Sequence, residues 1–553
     1  MTRGGKLFPL HHQATPDRLP EVSSGLPDYT SAETDIEGTL IPLAPLASNT
    51  TPHLVVPPPA VAQHPDTIVH PAELAEWLAD LPLADSQHLA DLLHRQLKLL
   101  IRDPHPAAHY RDLLNAYLPV LQSLSEQVVA HFNGAPGMVK TPRLFRNTVS
   151  QLLLEIACGY MRLINQAISL EKPPSAVDIY HAALPLVRLL QWDVLQYRLA
   201  RPGVWRQLLQ IFSISELYGL SGVAVSSRLR LDSDAEDTHG AFFGTLVLLL
   251  SDPYRLPFTS LSRLVGGLGQ LAEHLRINSA GAAEFRIPLD LTGQVPPLRF
   301  ARETHAGQAN DHLQLDEFFG QLQSQGLADD GGILSQWLLD SLRVLAQGVE
   351  HERQRHHARN RRNAEYQFFH GLELIHERLS DLQAARTPAS GEAGSPDSVV
   401  VEEIIDFLPE SGTPCRQADH SVEGGRFILQ AGTPVPPVGS WVLFEAADTP
   451  GGQSGIGFVG QVKRHLYFDN GGSEIGVEKL HGSLIPVSIG VTGAYGLLQA
   501  DREKQEFLLI GPSGTFRPSA RKTLHGRNKE YLVQLDELVE ANDAAERIRV
   551  RLM

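Results

Sequence analysis

Arg355 and Arg359 stand four residues apart in the run His351-Glu-Arg-Gln-Arg355-His-His-Ala-Arg359-Asn-Arg361-Arg362. Further on, the chain reads Asp419-His-Ser421-Val-Glu-Gly424-Gly425. Arginine can grip phosphate as a fork, pair with the O6/N7 edge of guanine and stack on a base plane. Two arginines at i and i+4 project the same way from a helical turn or a bent lead-in segment. An aspartate accepts hydrogen bonds from an N–H edge, and a serine bonds phosphate or the backbone of its own turn. Glycine permits a backbone geometry, or a closeness of approach, that a Cβ would block. Singly, each half has a bland counterpart: RxxxR is a solvated helix face, and DxSxxG is an Asx turn.

The segments C-terminal to DxSxxG give the pair its weight. Val438-Gly439-Ser440-Trp441-Val442-Leu443-Phe444 is a turn leading into an alternating strand. Gly455-Ile-Gly-Phe-Val-Gly-Gln-Val462-Lys-Arg-His and Ser473-Glu-Ile475-Gly476-Val477-Glu-Lys-Leu480 are two more. RxxxR, DxSxxG and this strand succession resemble the PilZ domain, a small β-barrel that binds the bacterial second messenger cyclic di-GMP. The resemblance implies that Arg355 and Arg359 hold the nucleotide with Asp419, Ser421 and Gly424. Arg361, Arg362 and Gly425 are secondary candidates, because Arg361 and Arg362 lie nearer the strand-like Tyr366–Phe369. The sequence departs from the family in a longer stretch between the two motifs, which includes the low-complexity 385–396.

The elements that must position these residues are mostly helical. Residues 1–67 are rich in Pro, Ser and Thr without a sustained period, and are expected to form a disordered leader. From Pro71 onward, amphipathic stripes recur: Leu89, Leu92, Leu93, Leu97 and Leu100, then Leu114, Leu118, Leu121, Leu124 and Val128. Val149–Ile168 continues the pattern, with Cys158 as a small core residue. Ser175-Ala-Val-Asp178 has the form of a capping box, opening a helix in which Pro185 predicts a kink. Phe285-Arg-Ile-Pro-Leu alternates as a short extended excursion. Helices over Leu313–Leu322 and Ile333–Val349 come next, the second running into the arginine segment. Trp77–Leu83, Ala157–Tyr160, Leu249–Leu256 and Gly371–His376 are similar to landmarks of bacterial PilZ-containing proteins with a long helical N-terminal part. The expected architecture is α+β and multidomain. It comprises a leader (1–67), an all-α helical domain (68–350), a PilZ-like antiparallel β-barrel with its arginine lead-in (351–500) and a β-rich extension (501–553). In that extension Phe507–Ile510, Glu530–Leu535 and Ile548–Leu552 alternate like strands.

Bulk properties narrow the function. The chain has 553 residues and a formal net charge of −16, which opposes a general nucleic-acid binder. The arginine cluster on so acidic a protein fits a small polyanion better than a duplex, or else a docking patch for an acidic partner. No apolar run reaches the length of a membrane span; Ala241–Leu250 reads as a buried helix. Two distant cysteines and no signal-type apolar region lead to the expectation of a cytoplasmic protein. HExxH, CxxC, the GxxxxGK[ST] phosphate loop and GxSxG are all absent, so no enzyme is expected. His351, His356 and His357 offer no convergent metal set, because adjacent histidines diverge on a helix, and no metal or cofactor is expected. The leading reading is a cyclic di-GMP effector that repositions the helical domain, which contacts a protein partner. The alternative is a nucleotide-free PilZ-like scaffold working through protein contacts.

Overall fold

The computed structural model describes residues 53–60, 64–82, 84–103, 107–132, 143–227, 236–278, 284–289, 296–297, 311–327, 332–346, 360–386, 412–421, 423–446, 456–490, 493–501, 506–526, 529–541 and 545–553. All of them lie in one compact unit, residues 41–553.

The first half is a helical body. Its helices are α1 (Pro71–Ala79), α2 (Ser86–Arg102), α3 (Ala107–Phe132), α4 (Arg143–Ser169), α5 (Ala176–Leu195), α6 (Pro202–Leu217), α7 (Thr238–Leu250) and α8 (Phe258–Leu271), then α9 (Asp316–Gln325) and α10 (Ile333–Ala346). The leucine stripes of α2 and α3 form its core, as their spacing requires. Helices α5 and α7 are apolar on nearly every side and are correspondingly buried along almost their whole length. No helix among the described residues is long and apolar enough to cross a membrane.

Several expectations change here. Ser175 Oγ accepts from Val177 N, but Asp178 takes both prongs of Arg111 at 2.7 Å instead of reaching back to complete a box. Residues 311–314 are not helical: β1 (Arg276–Asn278), β2 (Arg286–Leu289) and β3 (Asp311–Gln314) form a small sheet in the order β1-β3-β2. Part of the expected leader is anchored. Leu54 is buried, its N–H donates to Asn165 Oδ1 (2.9 Å), and its carbonyl accepts from Asn165 Nδ2 (2.7 Å). A leucine side chain and a matched amide clamp offset the ordering cost that composition alone suggested would prevail.

Two closed antiparallel barrels complete the chain, making the fold α+β. The first joins β4 (Asn360–His370), β5 (Thr413–His420), β6 (Gly424–Leu429), β7 (Trp441–Ala446), β8 (Ile456–Tyr467) and β9 (Ser473–Lys479), in the order β4-β5-β6-β9-β8-β7. Phe427 stacks on Phe444 at 3.9 Å at its centre, with Tyr366, Val462 and Ile475 around them. The second joins β10 (Ser483–Ile489), β11 (Ala494–Asp501), β12 (Glu506–Gly511), β13 (Arg521–His525), β14 (Glu530–Ala541) and β15 (Glu546–Leu552), in the order β10-β11-β12-β15-β14-β13. The division expected at residue 500 therefore falls inside β11, and what was expected as an extension is the larger part of a barrel with its own core.

Between β4 and β5 the chain inserts α11 (Leu372–Arg386), which explains part of the long spacing between the two motifs. Its Ile375 and Leu379 share a cluster with Trp441 and Leu443 of the first barrel and Leu497 and Ile510 of the second. Strand β7 is thus buried on both faces, Val442 and Phe444 inward and Trp441 and Leu443 toward α11. Arg378 of α11 makes a bidentate pair with the buried Glu445, at 2.7 and 2.9 Å.

Candidate functional site

The DxSxxG segment occupies the end of β5, a tight turn and the start of β6. Ser421 N donates to Gly424 O at 2.8 Å, and the Ser421 hydroxyl faces the same carbonyl at 3.5 Å, closing the turn. Gly424 is required by packing: a Cβ there would overlap the carbonyl oxygen of Val477 on β9. Gly425 faces inward, where a Cβ would meet Gln417 Nε2 at 2.8 Å and the Phe427 ring at 3.2 Å. The close approach anticipated for a glycine in this motif is thus made to the barrel's own strands.

Arg355 and Arg359 lie outside the described residues, as do His351, His356 and His357. The end of the arginine segment is described as backbone, and it is strand rather than helix. Asn360 pairs with His420 and Arg361 with Asp419 in the β4–β5 ladder, with a register shift before Ala364. The ladder therefore sets the backbone of Asn360 and Arg361 beside the DxSxxG strand, Arg361 in register with Asp419.

From Asp419 a row of partners continues across the sheet. Asp419 pairs with Arg426 of β6, Arg426 with Gly476 of β9, and Gly476 with Arg464 of β8. Cross-strand partners share a face. Arg426 holds Asp419 Oδ2 through Nε at 3.0 Å and Glu474 Oε2 through Nη1 at 3.3 Å. Asp419 is buried, at 8% exposure, whereas the Arg426 side chain keeps 40% of its surface. Gly476 adds no side chain between the two arginines, and a Cβ built there would meet the Arg464 Cβ at 3.3 Å. Among the described residues, this face offers a carboxylate for an N–H edge and guanidinium groups for an anion.

Arg426, Glu474 and Arg464 were not singled out from the sequence. The signal was present in the alternation of β6: Phe427 and Leu429 point inward, so Arg426 points out, beside the aspartate. Arg464 stood in a strand quoted as a marker, and its partner is distant in sequence. Its Nε lies 3.8 Å from Asp252 Oδ1, in the turn after α7.

The same end of β8 joins the barrel to the helical body. Tyr467 N donates to Tyr197 O at 2.8 Å, and Arg198 Nη2 donates to Asp469 Oδ1 at 2.6 Å. The His465 ring stacks on Tyr197 at 5.0 Å, and Leu466 is buried in the helical core. Burial holds the His465 imidazole down at about 4, so it is neutral at neutral pH. Tyr197 OH donates to Leu256 O and Tyr254 OH to Arg198 O, tying two loops of the helical body at the junction into one block.

Cys158 and Cys415 are buried free thiols whose pKa values are pushed up to about 12, which leaves them unreactive. Among the described residues no group of His, Cys, Asp and Glu side chains could hold a metal ion.

Residues 72–282, from α1 through β1, match the family model described as the N-terminal domain of the cyclic-di-GMP receptor FimW. The match covers the greater part of the helical body and under half of the chain. No curated protein matches the sequence.

Proposed function

We propose that this chain is a cyclic di-GMP receptor and effector, with the first barrel acting as a PilZ-type nucleotide module and the helical body as its output. The observation that carries this reading is the β4–β5 register, in which Arg361 stands opposite Asp419. It sets the last residues of the arginine-rich segment, from Asn360 onward, beside the strand that carries the candidate carboxylate. The receptor named by the helical-body match supports the same ligand from the other end of the chain.

In this reading Arg355 and Arg359 fork the phosphates and stack on a guanine, with Arg361 and Arg362 as further cations. Asp419 accepts the guanine N–H edge. Ser421 closes the turn, and Gly424 and Gly425 let β6 pack tightly against the barrel's own atoms beside Asp419. The charges require the lead-in arginines: Asp419, Glu474 and Asp252 already balance Arg426 and Arg464, so a doubly anionic ligand needs additional cations. The work is capture and repositioning rather than catalysis, and the nucleotide acts only if it binds one arrangement better than another.

Calorimetric titration of the full chain with cyclic di-GMP tests this. Wild type is expected to bind, and Arg359→Ala and Asp419→Ala each to weaken binding by about tenfold or more. Absence of heat with wild type would end the receptor reading, and unchanged binding by both variants would move the site elsewhere.

A nucleotide-free scaffold is the second reading. It is favoured by the engagement of Asp419 with Arg426 and by the closure of Ser421 onto its own turn. It predicts no heat, together with protein contacts made by both barrels and the helical body.

A further inference from the structure

We propose that Arg464 is an additional ligand residue that exchanges partners, leaving Asp252 of the helical body for a phosphate of the nucleotide, so that occupancy loosens the body's hold on the barrel. This rests on the receptor reading above and assigns the coupling to named groups.

Position supports it first. Arg464 lies two strands from Arg426 on the same cross-strand row, and strands about 4.8 Å apart put their Cα atoms roughly 10 Å from each other. The residue between them is Gly476, and the only atom within 4 Å of a Cβ built there is the Arg464 Cβ, at 3.3 Å. A phosphate over that glycine would lie between the strands that carry the two arginines, with Glu474 already engaged by Arg426.

The competing contact is the second argument. Arg464 Nε and Asp252 Oδ1 are 3.8 Å apart, beyond the 2.7–2.9 Å of a charge-assisted hydrogen bond. A phosphate can take two parallel N–H bonds from one guanidinium, a geometry that the 3.8 Å contact with Asp252 lacks. Asp252 keeps only 12% of its side-chain surface, and losing the arginine would leave a poorly hydrated carboxylate at the junction.

The third argument is what Asp252 belongs to. It has a left-handed backbone (φ 56°) and begins the short turn Pro253–Arg255, whose Tyr254 holds the Arg198 carbonyl. Arg198 in turn grips Asp469, and its neighbour Tyr197 accepts the Tyr467 N–H. A loss at Arg464–Asp252 therefore falls on the block that carries the other junction contacts. By linkage, if the nucleotide weakens that docking by a given factor, docking weakens nucleotide binding by the same factor.

The test uses full-length protein, cyclic di-GMP and two variants. Asp252→Asn removes the competing charge, and asparagine tolerates the left-handed backbone at this position. It is expected to tighten binding about fivefold or more, whereas Arg464→Gln weakens it about tenfold. Hydrogen exchange is read at the same time, and nucleotide should speed exchange of the Tyr467 amide in wild type. Wild-type binding with unchanged affinity in Asp252→Asn, or slower Tyr467 exchange on binding, would overturn the exchange of partners while leaving the receptor reading intact. Absence of wild-type binding would remove both.

Discussion

At the scale of single residues, packing and ligand chemistry converge on one turn. Gly424 sits where its strand runs so close to Val477 that a side chain cannot be accommodated. Gly424→Ala is therefore expected to destabilise the first barrel by about 2 kcal/mol or more, seen as a lowered thermal midpoint with or without nucleotide. An unshifted midpoint would mean that this glycine serves the ligand alone. His465 gives a second residue-scale outcome. Its folded value of about 4 lies below the ordinary 6.5, so the unfolded chain binds the proton more readily. The stability this contributes is complete above pH 6.5 and is lost progressively between pH 6.5 and about 4. His181 behaves likewise in the helical body, so wild type should be compared with His465→Phe, whose midpoint should fall less steeply over that window. Parallel pH profiles would contradict this.

At the scale of elements, the inserted helix α11 explains more than the strands do. Arg378→Ala should cost about 3 kcal/mol, because it leaves Glu445 buried without its partner; the check is denaturant unfolding, and a change under about 1 kcal/mol would contradict it. Much of this level was legible in the sequence. The strands after DxSxxG and the leucine stripes are set by their periods, and the buried Ala241–Leu250 helix by an apolar run too short to span a membrane. The arginine register was not legible, because the irregularity between Arg361 and Ala364 breaks the two-residue alternation on which register reading depends. The second barrel was seen as strands but not as a closed unit, since alternation identifies faces and says nothing of which strands pair. Arg426 and Arg464 resembled ordinary solvent-facing charges, and only their lateral neighbours on the sheet distinguish them.

For the whole molecule, the helical body and first barrel meet through contacts around β8, and the candidate face runs from β5 through β6 and β9 to that strand. In the proposed reading the ligand face and the domain junction share Arg464, and a nucleotide on the barrel need not transmit anything over a long distance. The same geometry accounts for the length of the chain: a small barrel supplies the site, α11 fixes the second barrel against it, and the helical body supplies a surface whose attachment can change. The central claim is the location of the nucleotide. Photo-crosslinking of full-length protein with an azido derivative of cyclic di-GMP, followed by peptide mapping, tests it most directly. Adducts confined to 351–362, 413–429 and 460–480 are predicted; adducts confined to the second barrel or to helices remote from β8 would contradict the account.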